Sequence, residues 1–148
     1  MKLNEGGYKL IADFEGLRLS PYLCSAKVPT IGYGSTFYPS GIKVTMNDKP
    51  ITQATALWML KHTADKFAVE VDKLVRPTLT QNQFNALVSF AFNVGTSALG
   101  RSTLLRKVNL NPNDPTITAE FAKWNKAGGV VNRGLSRRRA AEAKLYFS

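Results

Sequence analysis

One segment constrains the fold more than any other, because it predicts a helix that the rest of the chain must enclose. Residues 80–94 read TQNQFNALVSFAFNV. Thr80 and Gln83 form a capping-box pair at its start, in which each side chain satisfies a backbone N–H group of the first turn. The helix that follows is apolar on nearly every side, and such a helix is stable only when it is buried. We therefore expect it to be the central element of the core.

Helical patterns also precede and follow this central segment. Apolar residues recur at spacings of three and four from Thr52 to a point before Pro77, which predicts one long helix. A shorter helix over residues 4–14 has Asn4 as its cap. Further helices are predicted over residues 101–109, from residue 114 onward, and from residue 136 to the C-terminus.

The segment between the first two helices has a different character. From residue 22 to residue 44, strand-forming residues are interrupted by glycine and proline, which predicts a small, turn-rich β-sheet. The predicted architecture is therefore α+β, with a small N-terminal sheet lobe, a larger helical lobe and a cleft between them. With 148 residues, the chain suits one bilobed domain spanning residues 1–148 rather than two separate domains.

Cysteine and histidine usage excludes several kinds of site. Cys24 is the only cysteine, so there is neither an internal disulfide nor a cysteine pair for a structural zinc site. His62 is the only histidine and lies in the long helix without an acidic cluster nearby, which argues against a metal site. We expect His62 at the surface or at a satisfied boundary position, both tryptophans in the core, and no metal or organic cofactor.

The charge of the chain is high and unevenly distributed. The net charge is +10, and residues 101–148 carry ten basic groups against three acidic ones. Residues 1–100 carry ten basic and seven acidic groups. Such a balance indicates a strongly anionic partner, and nucleic acid, an anionic membrane surface and the bacterial wall all qualify.

The N-terminal segment does not resemble a secretion signal. It reads MKLNEGGYKLIADFEG, with glycines and acidic residues where a signal needs an unbroken apolar run. No later segment of the sequence reaches membrane-spanning length. We therefore expect a soluble product made in the cytoplasm, whose export needs outside help.

Three side chains in the N-terminal part suit the cleavage of a glycosidic bond. Glu15 is followed by Cys24 nine residues later and by Thr30 six residues after that. The reaction needs an acid for the leaving oxygen and a second group at the oxocarbenium-like centre. Glu15, just past an apolar helix, suits the first role; a Cys24 thiolate suits the second, either activating water or attacking carbon, with the Thr30 hydroxyl holding the water.

Each of these residues also has a purely structural interpretation. Glu15 is then an exposed helix-end carboxylate. Cys24 is a small buried hydrophobic residue, which is the commoner fate of a lone cysteine. Thr30 is then only a residue of high strand propensity.

Four sequence segments decide between these interpretations. They are FEGLRLSPY around Glu15, PTIGYG at residues 29–34, QFNALVSFAFNVG at 83–95 and GLSRRRAAE at 134–142. Their order and spacing closely resemble the phage-type lysozymes, the muramidase endolysins similar to the bacteriophage T4 enzyme, over nearly the whole chain. The resemblance implies a lysozyme-like fold and a catalytic triad of Glu15, Cys24 and Thr30, with cysteine where aspartate is usual. The turn SAKVP lacks a glycine and Ser35 stands where histidine is frequent, which are two departures from the family pattern.

The resemblance also implies two roles in the helical lobe. Asn93 is implied to contact the substrate, although an asparagine before Gly95 also suits a helix C-cap. One arginine of the run at 137–139 is implied to orient Glu15, and we assign this role to Arg137, with Glu15 or Asp13 as its partner. At least one arginine of the run must lie on a solvated helix face, because adjacent helical positions point in different directions.

The activity implied by the resemblance is hydrolysis of the β-1,4 bond between N-acetylmuramic acid and N-acetylglucosamine in peptidoglycan. The implied setting is host cell lysis by a phage or prophage, with a separate holin-type protein releasing the enzyme from the host cytoplasm to the wall. The basic C-terminal region is expected to hold the enzyme, a monomer, on the anionic envelope. No nucleic-acid partner is expected, because no nucleic-acid-binding motif is present.

Three other functions are compatible with parts of the sequence. A lytic transglycosylase also uses a glutamate, but the pair of Cys24 and Thr30 argues against it. A cysteine protease or amidase would use Cys24 with His62, which the predicted elements place in different lobes. A cationic binding module on membranes or nucleic acid would need no catalytic groups at all.

Overall fold

The computed structural model describes residues 1–148 and contains seven helices and four short strands. In chain order the elements are α1 (Glu5–Glu15), β1 (Arg18–Leu23), β2 (Pro29–Gly32), α2 (Gln53–Leu74), α3 (Gln81–Val94), α4 (Thr96–Gly100), α5 (Thr103–Leu110), α6 (Ile117–Ala122), β3 (Lys126–Ala127), β4 (Val130–Val131) and α7 (Arg133–Tyr146). The predicted α+β class is confirmed.

The chain divides into two compact units. The N-terminal unit comprises residues 8–66, and the C-terminal unit comprises residues 1–7 and 67–148. The divisions fall within α1 and α2, so both helices contribute residues to each unit. Strands β1 and β2 lie between α1 and α2 in the chain, and strands β3 and β4 lie between α6 and α7.

The C-terminal unit is built around α3, as the apolar pattern of that helix predicts. Thr80 accepts a hydrogen bond from the Gln83 backbone, and the Gln83 side chain accepts one from the Thr80 backbone, which completes the capping box. Every residue from position 83 to position 91 is buried, and α3 packs most extensively against α7.

A buried ionic cluster joins α3 to α7. Glu142 is fully buried; its Oε1 lies 2.7 Å from Arg139 Nε, and its Oε2 lies 3.3 Å from Arg138 Nε. The Ser89 hydroxyl donates to Glu142 Oε2 at 2.6 Å, and Arg138 Nη2 donates to the Ser89 carbonyl at 3.1 Å. Two arginines of the 137–139 run therefore belong to the core.

The N-terminal unit contains the β1–β2 hairpin and a small core. The strands are antiparallel, with Arg18 paired to Gly32 and Tyr22 paired to Thr30. After β2, the segment up to residue 44 adds only an isolated bridge between Phe37 and Lys43 and no further strand. The sheet is therefore smaller than the sequence suggested. The buried cluster of this unit consists of Ile31, Val44 and Met59, flanked by Tyr38 and Ile51.

Several boundaries differ from the sequence-based expectation. Helix α7 begins at Arg133, because the Asn132 side chain accepts a hydrogen bond from the Leu135 backbone and caps the helix there. The β3–β4 hairpin was not predicted. Trp58 is 58% exposed, so its assignment to the core is wrong.

Candidate active site

Glu15 is the last residue of α1, and a glycine fixes its place. Gly16 has φ +71° and its N–H donates to the Ala12 carbonyl at 3.3 Å, as expected of a left-handed residue that ends a helix. A side chain at position 16 would strain this conformation. The helix therefore stops directly after Glu15, whose side chain is half-buried.

The Glu15 carboxylate lies against the turn that follows β2. Ile31 and Ser35 exchange two backbone hydrogen bonds of 2.9 Å, which folds residues 31–35 into a tight turn. Gly34 within this turn has φ +86°, and a Cβ atom added there would lie 3.7 Å from Glu15 Oε2. The glycine thus allows a left-handed backbone to come close to the carboxylate.

Cys24 and Thr30 lie near the loop end of the β1–β2 hairpin, where β1 gives way to β2. Tyr22 pairs with Thr30, and Cys24 is two residues beyond Tyr22, so the alternation of a strand puts Cys24 and Thr30 on the same face. Thr30 is buried with 3% exposure, whereas Cys24 is half-buried. The hairpin therefore brings together the second and third predicted site residues.

The surroundings of the thiol favour its ionised form. Hydrogen bonds from the Val28 backbone, the Thr30 side chain and the Ala26 backbone lower the pKa of the Cys24 thiol from its ordinary value, outweighing the smaller opposing effect of burial. The Thr30 hydroxyl also lies 2.8 Å from the Val28 carbonyl oxygen, to which it donates. A lowered pKa increases the fraction of Cys24 that is thiolate near neutral pH, and the thiolate is the form that acts as nucleophile or accepts a proton.

The β1–β2 hairpin closes although its SAKVP turn lacks a glycine. The Cys24 carbonyl accepts from the Lys27 N–H at 2.8 Å, and the Cys24 N–H donates to the Val28 carbonyl at 3.1 Å. Lys27 has φ +60°, the left-handed position of a three-residue hairpin loop. Lysine is an uncommon choice there, because its Cβ atom makes this conformation unfavourable.

Asn93 is exposed on the last turn of α3. Gly95, not Asn93, is the C-cap residue of that helix, so the helix-cap alternative for Asn93 is wrong. The residue lines a pocket of ≈340 Å³ in the C-terminal unit, together with Val94, Lys123, Trp124, Lys126 and Leu135. An amide facing a pocket can both donate and accept hydrogen bonds.

The arginine run separates into one exposed and two buried side chains. Arg137 is exposed on α7, whereas Arg138 and Arg139 are buried with Glu142. The solvated-face interpretation therefore fits Arg137 and is wrong for the other two. The assignment of Arg137 to Glu15 stays a prediction.

His62 is exposed on α2, as expected. Residues 8–66 form one compact unit, so the argument that Cys24 and His62 belong to different lobes is wrong. The groups that lower the pKa of the thiol are nevertheless the Val28 backbone, the Thr30 side chain and the Ala26 backbone, and His62 is not among them. A cysteine–histidine pair is therefore not formed.

Two sets of contacts at the candidate site were missed from the sequence. The approach of Gly34 to Glu15 had a signal in the GYG motif, since closely spaced glycines indicate a strained turn. The backbone contacts of Val28 and Ala26 to the Cys24 thiol had none, because backbone groups are not encoded by residue type.

No helix of the chain has the length and apolar character needed to cross a membrane.

Comparison with known proteins identifies the family of the chain. Residues 12–142 match the family described as phage lysozyme. The chain is 40% identical to an endolysin of Bacillus phage B103 over 153 residues, covering 100% of this chain but only 55% of the relative. The chain thus spans about half the length of that relative.

Solved structures are similar to this chain over most of their own length. An endolysin from Escherichia coli O157:H7 phage FAHEc1 superimposes with a TM-score of 0.90 at 37% identity, covering 99% of this chain and 93% of that one. The muramidase domain of SpmX from Asticaccaulis excentricus gives a TM-score of 0.84 at 36% identity, covering 99% and 98%. The expected lysozyme-like fold is confirmed, and the chain belongs to the phage lysozyme family.

Proposed function

We propose that this chain is a peptidoglycan-degrading endolysin, a glycoside hydrolase that cleaves the β-1,4 bond between N-acetylmuramic acid and N-acetylglucosamine. One observation carries the proposal: Glu15, Cys24 and Thr30 belong to one compact unit of a phage lysozyme family member, and strand pairing puts Cys24 and Thr30 on the same face of the β1–β2 hairpin. A carboxylic acid and a second ionisable group are the minimum that glycoside hydrolysis requires.

The proposed reaction divides the work between the two ionisable groups. Glu15 gives its proton to the leaving glycosidic oxygen as the bond to the anomeric carbon breaks. A water molecule held by the Thr30 hydroxyl adds to that carbon, and the Cys24 thiolate takes the proton that the water loses. If the thiolate instead attacks the carbon itself, a thioglycosyl intermediate forms and water hydrolyses it in a second step. The configuration of the product distinguishes the two routes, because the first inverts and the second retains it.

The remaining assignments extend this proposal to the rest of the chain. Asn93 hydrogen-bonds the N-acetyl group of a bound sugar, and its exposed position in a pocket supports that role. Arg137 orients the Glu15 carboxyl. Residues 1–148 act together as one catalytic domain, and no metal takes part in the reaction.

The proposed setting is lysis of a bacterial host by a phage or prophage. The enzyme would remain in the host cytoplasm until a separate holin-type protein permits it to reach the wall. The basic residues of positions 101–148 would hold it on the anionic envelope, so its activity should fall as salt concentration rises.

The decisive experiment is mass spectrometry of wall digests with reducing-end analysis, for the wild type and for Glu15→Gln. We expect disaccharide-peptide fragments that carry a reducing N-acetylmuramic acid, and a loss of roughly a thousandfold or more in Glu15→Gln, as general acid and charge effects together require. Anhydro products would instead identify a transglycosylase. Amide cleavage, or full activity of Glu15→Gln, would refute the proposal.

A further inference from the structure

A second pocket lies in the C-terminal unit, away from the residues discussed so far. Its volume is ≈470 Å³, and it is formed by the end of α2, the α4–α5 connection and α5. The lining residues are Leu74, Arg76, Gly100, Arg101, Ser102, Thr103, Leu105, Arg106, Asn109 and Leu110. Three of these ten residues are arginines and none is acidic.

The positive charge of this pocket is not compensated by the protein. Elsewhere in the unit basic residues share buried carboxylates: Lys107 and Lys123 contact Glu120, and the buried arginines of α7 contact Glu142. Arg76, Arg101 and Arg106 are exposed, and none of them takes part in an ion pair. Three guanidinium groups around one concavity therefore repel one another, and an anionic ligand would relieve that repulsion.

The backbone that carries these arginines is fixed by side-chain hydrogen bonds. Asn109 accepts from the Arg76 backbone N–H at 2.9 Å and donates to the Leu74 carbonyl at 3.1 Å, which ties the end of α2 to α5. Ser102 caps α5 by accepting from the Leu105 N–H and donates to the Leu99 carbonyl at 2.7 Å. The pocket is thus already shaped before a ligand arrives, which reduces the entropy lost on binding.

The chemistry of the lining indicates the ligand. Guanidinium groups bind the oxygens of phosphate in pairs, with a geometry that an ammonium group cannot reproduce. Leucines lie beside the arginines, and Leu110 is 81% exposed, so the carbon skeleton of a sugar or polyol could pack against an apolar edge. A concave site of this size suits one unit of a linear polymer rather than a flat membrane surface.

We propose that this pocket binds a phosphate group of a phosphodiester-linked glycopolymer of the bacterial envelope and so keeps the enzyme beside its wall substrate. The inference rests on the proposed function, which places the chain at the wall. It narrows the general attraction of a basic protein to three arginines, one of which, Arg76, lies outside the basic C-terminal third.

The test compares two triple variants that lose the same charge. The pocket variant is Arg76→Gln, Arg101→Gln and Arg106→Gln. The control is Lys2→Gln, Lys49→Gln and Lys66→Gln, three exposed positions outside both the pocket and the basic segment 101–148. Binding to poly(glycerol phosphate) should weaken about tenfold or more in the pocket variant, and by no more than about threefold in the control, because only the former removes phosphate-matched guanidinium groups. The corresponding Arg→Lys triple should give intermediate binding and serves as a second pocket variant should the first be unstable.

Four results would overturn the inference. Equal weakening in both triples would reduce it to non-specific charge attraction, and equally tight binding of polyglutamate would remove the preference for phosphate. Tighter binding of duplex DNA, or of vesicles of anionic phospholipid, with the same arginine dependence would assign the pocket to another partner.

Failure of the proposed function would look different. Peptidoglycan stripped of its phosphate polymers should be hydrolysed equally by the wild type and both triples. If the wild type does not hydrolyse it, the enzymatic proposal fails, whatever the polymer-binding result.

Discussion

The Thr30 hydroxyl lies close enough to the Cys24 thiol to lower the pKa of that thiol, and the same hydroxyl donates to the Val28 carbonyl at 2.8 Å. A hydroxyl has only one hydrogen atom. While the thiol is neutral, Thr30 can therefore donate to Val28 and accept from the thiol. Once the thiol ionises, the hydroxyl must turn toward sulfur to stabilise the thiolate, so Thr30 couples the charge of Cys24 to the hairpin.

Replacing Thr30 with Val should raise the pKa of the Cys24 thiol, because it removes a hydrogen bond that favours the thiolate. Only the thiolate reacts with iodoacetamide, so the pH midpoint of alkylation should move to higher pH in Thr30→Val. Thr30→Ser keeps the hydroxyl and should retain the wild-type midpoint. An unchanged midpoint in the valine variant would show that the backbone contacts of Val28 and Ala26 alone set the pKa.

Replacing Cys24 separates a catalytic thiol from a packing residue. Cys24→Ala should lower peptidoglycan hydrolysis by roughly a hundredfold or more, as expected for the loss of a general base or nucleophile. Cys24→Asp should preserve most activity, because a carboxylate can fill either role. Since a carboxylate ionises at lower pH than a thiol, the acid limb of the pH profile should also move to lower pH.

Iodoacetamide or peroxide should inactivate the wild type and leave the aspartate variant unaffected. Full activity of the alanine variant would assign the thiol to packing.

The sequence predicted the helices best where a local signal and burial agree. Thr80 and Gln83 predicted the start of α3 because the capping box is a contact between near neighbours. The start of α7 was placed too late, since Gly134 and Ser136 are weak helix formers and the cap at Asn132 outweighs them. The β3–β4 strands have two residues each, too few for any alternation to show.

Residue type alone was a poor guide to burial at Trp58 and in the arginine run. Trp58 was assigned to the core for its apolarity, yet it lies three and four positions before Lys61 and His62 and so shares their face of α2. At least one arginine of the 137–139 run was expected on a solvated face, and Arg137 confirms this. The burial of the other two depends on Ser89 and Glu142, partners on α3 and α7 that no local pattern reveals. Periodicity was the better guide in the first case, and only the fold could decide the second.

Relieving the backbone strain at Lys27 should stabilise the protein. Lys27→Gly removes the Cβ atom that opposes φ +60°, and after the entropy that glycine adds to the unfolded chain we expect a gain of about 1 kcal/mol over Lys27→Ala. The alanine variant is the proper reference, because it loses the same charge and keeps the strain. Urea unfolding at neutral pH measures the difference, and equal stability of the two variants would mean that the loop carries no strain.

Neutralising Glu142 should destabilise the C-terminal unit severely. Glu142→Gln keeps the size of the side chain but leaves the buried Arg138 and Arg139 without their carboxylate, a loss of about 3–5 kcal/mol. Ser89→Ala removes only a neutral hydroxyl, which donates to Glu142 at 2.6 Å and accepts from Arg138 at 3.4 Å, and should cost about 1–2 kcal/mol.

The matched control for Glu142 is an exposed ion pair. Glu70→Gln breaks the 3.2 Å contact with Lys73 on the surface of α2 and should change the free energy of unfolding by less than about 0.5 kcal/mol. Denaturant unfolding of all three variants gives the ranking. Similar losses in Glu142→Gln and Glu70→Gln would contradict the view that the cluster is a structural centre of this unit.

Two glycines with similar positive φ angles allow the effects of position and of backbone strain to be separated at the site. Gly34 has φ +86° and Gly41 has φ +91°; a Cβ atom at Gly34 would lie 3.7 Å from Glu15 Oε2, whereas one at Gly41 would meet nothing within 4 Å. Alanine should therefore cost a similar backbone strain at both positions, about 1–2 kcal/mol in the free energy of unfolding.

Only Gly34→Ala brings a methyl group against the carboxylate of the proposed acid, and any backbone shift that relieves its strain moves the turn next to Glu15. Hydrolysis should thus fall about tenfold or more in Gly34→Ala and remain near the wild-type rate in Gly41→Ala, since small displacements of a catalytic group have large effects on rate. If both variants lose stability and activity in parallel, the turn affects the reaction through stability alone, and its contact with Glu15 has no catalytic importance.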